Sequence, residues 1–172
     1  MSHVISVVTE DKPGVLARVS SMFARRGFNI HSLAVGPTAD PAMSQMTVVV
    51  DGPAMEQIIK QLYTLVHVVK VIELDPTDMV EREVMLLRVS TEHSSRGEIL
   101  DAAAVFEAKA IDVGSSTMTF ELAGTPGKLN DFLELMGGYG IVELVKSGRI
   151  ALPRSPKGVK NKGPRQGRLR SA

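Results

Sequence analysis

Thr9-Glu10-Asp11-Lys12-Pro13-Gly14-Val15-Leu16 joins a short apolar strand, His3 to Val8, to an amphipathic helix, so it forms a strand-to-helix corner. Pro13 suits the first turn of a helix, where its fixed φ is right and its missing N–H has no intrahelical partner to lose. Gly14 leaves that turn without a side chain. The first amides of a helix are unpaired and sit at the positive end of its dipole, which makes an anion site. Asp11, just ahead of the turn, is an acceptor for an ammonium group. Amides for a carboxylate beside an oxygen for an ammonium suit a free amino acid.

Outward from this corner, the spacing of Val15, Leu16, Val19, Met22 and Phe23 predicts a helix from Pro13 to about Arg26, ended by Gly27. Phe28 to Val35 reads as a strand closing at Pro37, with Met43 to Val50 as its hairpin partner. Asp51-Gly52-Pro53 opens a second helix striped by Met55, Ile58, Ile59, Leu62 and Val66, and Val68 to Leu74 is the next strand. The order recurs about eighty residues on, starting from a strand at Val84 to Ser90. Ser95-Arg96-Gly97-Glu98 has capping-box spacing ahead of a helix with Ile99, Ala103 and Phe106 inward. Strands follow at Ala110–Val113 and Met118–Leu122. Thr125 and Pro126 start a fourth helix that buries Leu129, Phe132, Leu133 and Met136 and stops at Gly137-Gly138. Strands at Ile141–Val145 and Ile150–Leu152 complete the set.

Each half reads βαββαβ, an α+β pattern that gives an antiparallel sheet with two helices on one face. The fold expected is two tandem ferredoxin-like domains, residues 1–76 and 80–152, followed by a basic flexible tail, 153–172. In that topology the second strand lies at a sheet edge. Ile30, Leu33 and Val35 make this edge apolar, so it predicts a homodimer formed through the sheet, with the corner close to the joint.

Composition narrows the function. The 172 residues contain no cysteine, which excludes disulfides and thiol catalysis and suits a reducing cytoplasm. No apolar run reaches bilayer length and the N-terminus has no basic leader, so a cytoplasmic location off the membrane is the expectation. The net charge of +1 conceals an asymmetry: seven basic and no acidic residues follow Pro153, while residues 1–152 carry 13 basic and 19 acidic groups.

The stretches Asp11-Lys12-Pro13-Gly14-Val15-Leu16-Ala17-Arg18-Val19, Phe23, Arg25-Arg26-Gly27-Phe28-Asn29-Ile30 and Ser32-Leu33 resemble the ACT domain of the small regulatory subunit of acetolactate synthase (acetohydroxyacid synthase). Ser44-Gln45-Met46-Thr47, Glu56-Gln57-Ile58, Lys60-Gln61-Leu62, Val80-Glu81-Arg82-Glu83, Ile111-Asp112-Val113 and Leu122-Ala123-Gly124-Thr125 extend the resemblance from about Ser2 to Leu152. It implies an ACT amino-acid-binding domain, a second ferredoxin-like domain, and no catalysis in this chain. The partner implied is the large catalytic subunit, which would hold thiamine diphosphate, Mg and FAD. This chain would activate that subunit and confer feedback inhibition by valine in branched-chain amino-acid synthesis.

The effector is implied between two ACT domains, at Asp11, Gly14, Val15, Leu16, Asn29, Ile30 and Gln57, with Asp11 and Asn29 holding its ammonium. Val15, Leu16, Ile30 and Val35 are the candidates for an apolar wall. His93-Ser94-Ser95-Arg96-Gly97 replaces the Pro-Gly corner in the second half, so no effector site is expected there.

Other readings compete. No nucleophile elbow, phosphate loop or dinucleotide fingerprint is present, which argues against an enzyme. A ferredoxin-like sheet with a basic tail also suits RNA binding, but the chain has five Phe, two Tyr and no Trp, and Phe23, Phe106 and Phe132 fall on inward helix faces. A free-standing amino-acid sensor acting on another enzyme is the remaining alternative. His3, His31, His67 and His93 lack metal spacing and read as surface residues, and Met22, Met43, Met46, Met55 and Met136 read as core. Glu81 and Glu83 read as water-facing.

Overall fold

The computed structural model describes residues 2–52, 55–92 and 96–155. The first half runs β1 (Ser2–Glu10), α1 (Val15–Arg25), β2 (Ile30–Pro37), β3 (Met43–Asp51), α2 (Met55–Leu62) and β4 (Val68–Leu74). Its strands lie in the order β2-β3-β1-β4, all antiparallel. The second half runs β5 (Met79–Ser90), α3 (Arg96–Val105), β6 (Lys109–Val113), β7 (Thr117–Gly124), α4 (Pro126–Gly137), β8 (Ile141–Lys146) and β9 (Ile150–Pro153). Its main order is β6-β7-β5-β8. The two halves are the tandem ferredoxin-like units that the repeat predicts.

Each helix layer forms because its apolar stripe meets the inward residues of its own sheet. Val15, Val19, Met22 and Phe23 of α1 and Met55, Ile58 and Leu62 of α2 close over Ile5, Val7, Met46 and Val48. In the second unit Ile99, Ala103, Leu129, Phe132 and Met136 close over Met85, Leu87, Val89 and Phe120. Phe132 lies 5.5 Å from Phe106 and 6.4 Å from Phe120, centroid to centroid. Thr125 caps α4 by accepting from the Lys128 amide at 3.3 Å, with Pro126 opening the helix.

Two helix ends differ from expectation. α1 begins at Val15, because Gly14 takes a left-handed φ of 81° as its N-cap and leaves Pro13 in the preceding turn. α2 stops at Leu62, so Val66 is not part of its stripe and is 78% exposed. Gly27, at φ 71°, ends α1 as foreseen, with the amides of Gly27 and Phe28 returning to the carbonyls of Ala24 and Phe23. The Ser95 cap, Pro53, His93 and the tail beyond Ser155 lie outside the described residues.

The seam between the units is the larger departure. β5 starts at Met79 rather than Val84, and its first half pairs with β9 from Met79↔Pro153 to Arg82↔Ile150. This short ribbon lays Met79 and Ala151 against Val4, Val49 and Leu74, on the face of the first sheet that carries no helices. Glu81 and Glu83 share the inward parity of Met79 and Met85, so they enter the seam instead of facing water. Glu83 is 7% exposed, and Glu81 Oε2 stands 3.8 Å from Arg149 Nη1.

The joint itself is a turn. Asp75 Oδ1 accepts from the Thr77 hydroxyl at 2.7 Å and from its amide at 2.8 Å, which together hold the Asp75 carboxyl below its ordinary range. At the far side of the seam, Gly148 has φ 83°, and a Cβ there would stand 2.8 Å from the Leu33 carbonyl oxygen. The neighbouring Arg149 amide donates to Ser32 Oγ at 2.8 Å. Gly148→Ala is therefore expected to lower stability by at least about 1–3 kcal/mol from backbone strain alone, read as a fall in the denaturation midpoint.

Candidate functional site

The corner after β1 is tied down on both sides. The Asp11 amide donates to the Ala42 carbonyl at 2.8 Å, and the Ala42 amide donates to Asp40 Oδ1 at 2.9 Å in the β2–β3 turn. The Glu10 amide donates to the His67 carbonyl at 2.9 Å, and His67 Nδ1 lies 3.1 Å from Glu10 Oε2. His3 and His31 likewise pair with carboxylates, Glu73 and Asp51, each at 2.7 Å.

Within this frame the Val15 amide reaches the Lys12 carbonyl at 3.4 Å, a long contact, and Arg18 is the first residue to bond back to the turn, at Gly14 O. The amides of Gly14, Leu16 and Ala17 find no acceptor among the described residues. A Cβ on Gly14 would meet nothing within 4 Å, so there is room for a side chain or a small ligand at this turn. Asp11 is exposed beside them, and Leu16, 42% exposed, supplies an apolar flank. Val15 is 5% exposed, so its side chain belongs to the core and not to a pocket wall.

Sequence reasoning passed over Thr9. It is fully buried two residues before Asp11, and its Oγ1 has no hydrogen-bond partner among the described residues. An unpartnered buried hydroxyl is costly, so Thr9→Val is expected to raise stability by about 1 kcal/mol, measured by urea titration.

Asn29, Ile30 and Gln57 stand elsewhere. Asn29 and Gln57 are exposed, and Ile30 is half-buried against its own core. Ile30 pairs with Val50, which pairs with His3, whereas the corner follows Glu10 at the other end of β1. Seven residues of strand separate the two ends by roughly 23 Å. A single chain therefore does not bring Asn29 to Asp11, and one ammonium cannot be shared between them within it.

β2 does connect the two places, because its end, Val35 to Pro37, pairs with Met46 to Ser44 and lies across β3 from Val7 to Thr9, beside the corner. β2 is one of the two edge strands of this sheet, the other being β4. Along it, Leu33 is half-buried against the first core, while Val35 is 47% exposed.

A cleft of about 350 Å³ opens between the helix-free face of the first sheet and the β5–β9 ribbon, lined by Val35, Pro37, Gln45, Thr47, Arg82 and Leu152 among others. Its walls are mostly apolar and its one charged group is Arg82. It lacks the pairing of opposite charges that a zwitterion needs, so the corner is the better candidate for an amino acid.

Comparisons with known proteins agree along nearly the whole chain. Residues 5–70 match the family described as "AHAS small subunit-like ACT domain", and residues 82–155 match "Small subunit of acetolactate synthase". The acetolactate synthase small subunit of Mycolicibacterium smegmatis is 48% identical over 161 residues, covering 92% of this chain and 94% of that protein. A probable acetolactate synthase small subunit of Archaeoglobus fulgidus is 45% identical, covering 91% and 99%. The crystal structure of the acetolactate synthase small subunit from Thermotoga maritima superposes with a TM-score of 0.84 at 36% identity, covering 91% of this chain and 99% of that one. With both domains matched in order and the fold shared, this chain belongs to the acetolactate synthase small-subunit family.

Proposed function

We propose that two copies of this chain hold valine between their first domains and, through it, regulate the large catalytic subunit of acetolactate synthase. The observation that carries this reading is the split site: three unpaired amides and Asp11 at one end of the sheet, Asn29 and Ile30 about a strand length away. Antiparallel pairing of β2 with β2 of a second copy would set the start of one strand beside the end of the other. Asn29 and Ile30 of the second copy would then adjoin Val35, Gly36 and the corner of the first. The valine carboxylate would take the free amides, its ammonium Asp11 and the second copy's Asn29, and its methyl groups Leu16, Val35 and Ile30. Gln57, on α2, which packs against β4 at the opposite edge of the sheet from β2, is the outlying member of the set.

In this scheme the chain activates the catalytic subunit when unliganded and restrains it when liganded. The effector must bind one arrangement of the pair better than another, since equal affinity for both shifts nothing. A coupling of about 1–3 kcal/mol gives inhibition of several-fold to about a hundredfold. In this reading thiamine diphosphate, Mg and FAD belong to the catalytic partner, and the chemistry is carried out there.

Two measurements test the proposal. Titration calorimetry with valine, leucine, isoleucine and serine should show a preference for the branched side chains. Synthase assays on the catalytic subunit should show higher activity with this chain present and loss of that gain on adding valine. Equal activity with and without this chain would overturn the regulatory reading.

Val35→Lys offers a further check on the edge. Val35 is exposed and spares the core, unlike Leu33, so the substitution should weaken the dimer and valine binding together, as read by sedimentation and calorimetry. An unchanged dimer would place the interface elsewhere.

A further inference from the structure

A second surface of the first domain carries charge that the effector site does not use. The groove between α1 and α2, about 440 Å³, is lined by Arg18, Ser21, Arg25, Arg26, Gln61 and Thr64, with Met22 at its floor. The arginines are exposed, and none of them forms an ion pair with a described residue. α1 contains no acidic residue at all.

Arg25 and Arg26 suit the negative end of a helix dipole, which accounts for their sign. It does not account for Arg18, two turns earlier, nor for the lack of an ion-pair partner for any of the three among the described residues, although residues 1–76 hold seven acidic groups against six basic ones. In a nearly neutral domain, three uncompensated guanidinium groups along one groove are a local positive field directed outward. The groove also lies on the helical face of the first sheet, while the second domain packs on the opposite face, so the described residues leave it open.

We infer that the α1–α2 groove is a docking surface for an acidic segment of the catalytic subunit, which the three arginines hold through forked, charge-assisted hydrogen bonds. The inference rests on the regulatory reading above and adds the surface through which control passes. Protein is favoured over nucleic acid because the described lining contains no aromatic side chain for base stacking. The groove also sits beside the effector site, since Arg18 bonds to Gly14 through its amide. A change of arrangement at the corner would therefore be felt at the near end of the groove.

The test compares the full chain with Arg18→Glu/Arg25→Glu/Arg26→Glu and with the triple Arg→Gln variant. Affinity for purified catalytic subunit is measured at about 0.1 M and about 0.5 M salt, a range over which exposed charge pairs are strongly screened. Valine calorimetry and thermal unfolding on the small subunit alone confirm that each variant is folded. Charge reversal should weaken assembly by at least about tenfold and neutralisation by less, and both should flatten the salt dependence of the wild type. Wild-type affinity in both variants would overturn the docking surface while leaving the regulatory reading intact. A wild type that fails to bind the catalytic subunit at all would overturn both. Loss of binding to a single-stranded RNA probe in the variants, with assembly intact, would reassign the groove to nucleic acid.

Discussion

Gly14→Asp is expected to abolish the proposed inhibition by valine while the proposed activation of the catalytic subunit is retained. Two observations set this outcome. No atom lies within 4 Å of the position a Cβ would take, so the new side chain meets no steric barrier in the folded chain. The backbone there is left-handed at φ 81°, a conformation that Asp tolerates better than most residues, so the expected strain is only about 1 kcal/mol. The introduced carboxylate would then stand where the effector's carboxylate is proposed to bind, next to the unpaired amides of Leu16 and Ala17. It would compete for those amides and repel the incoming charge. Loss of a charge-assisted contact of this kind, with repulsion added, is worth about 3 kcal/mol or more, a fall in affinity beyond a hundredfold. Dose–response curves for valine with the reconstituted enzyme read it directly. Full valine sensitivity in the variant would move the site away from the corner.

The second large effect concerns sharing. Gly14→Asp and Asn29→Ala should each eliminate valine response as separate homodimers, yet restore part of it when the two variants are mixed and allowed to exchange subunits. Each hybrid contains one ruined site, where the substituted corner of one chain meets the substituted strand of the other, and one intact site, built from the two unmodified parts. The basis is the separation of roughly 23 Å between the two ends of β1, which prevents a single chain from completing the site. Calorimetry on mixed and unmixed samples distinguishes the cases. A mixture that responds no better than its components would mean that Asn29 and Gly14 do not serve one site across two chains.

Much of the molecule was legible from local chemistry. Period-2 and period-3.6 patterns located the strands and helices, and the eighty-residue recurrence exposed the tandem architecture. Thr125-Pro126 and Gly27 marked helix ends because capping and left-handed closure depend on a residue or two. Gly14 stood out for the same reason, although the residue proved to be the left-handed cap and not part of the first turn. Such features are short-range, so the order of residue types is enough to state them.

What was misread depends on distant segments. Glu81 and Glu83 look solvent-facing in a charged stretch, but β9, some seventy residues later, pairs with that stretch and presses it onto the first sheet. Val15 looked like a candidate for a pocket wall, yet its position on α1 turns it into the core. Thr9 gave no sign of its unpartnered hydroxyl, because the loss of a partner is a property of everything packed around it.

By itself, then, the amino-acid order determined the two βαββαβ units, the amide-rich corner, and the family to which the chain belongs. Only the tertiary structure decided that the candidate effector residues divide between opposite ends of one sheet, that the second domain packs on the helix-free face of the first, and that an arginine groove lies on the other face. The reason is physical. Caps, turns and periodicity are set by neighbours a few bonds away, whereas distance across a sheet and the burial of a charge follow from which strands pair, and pairing joins residues far apart in the chain.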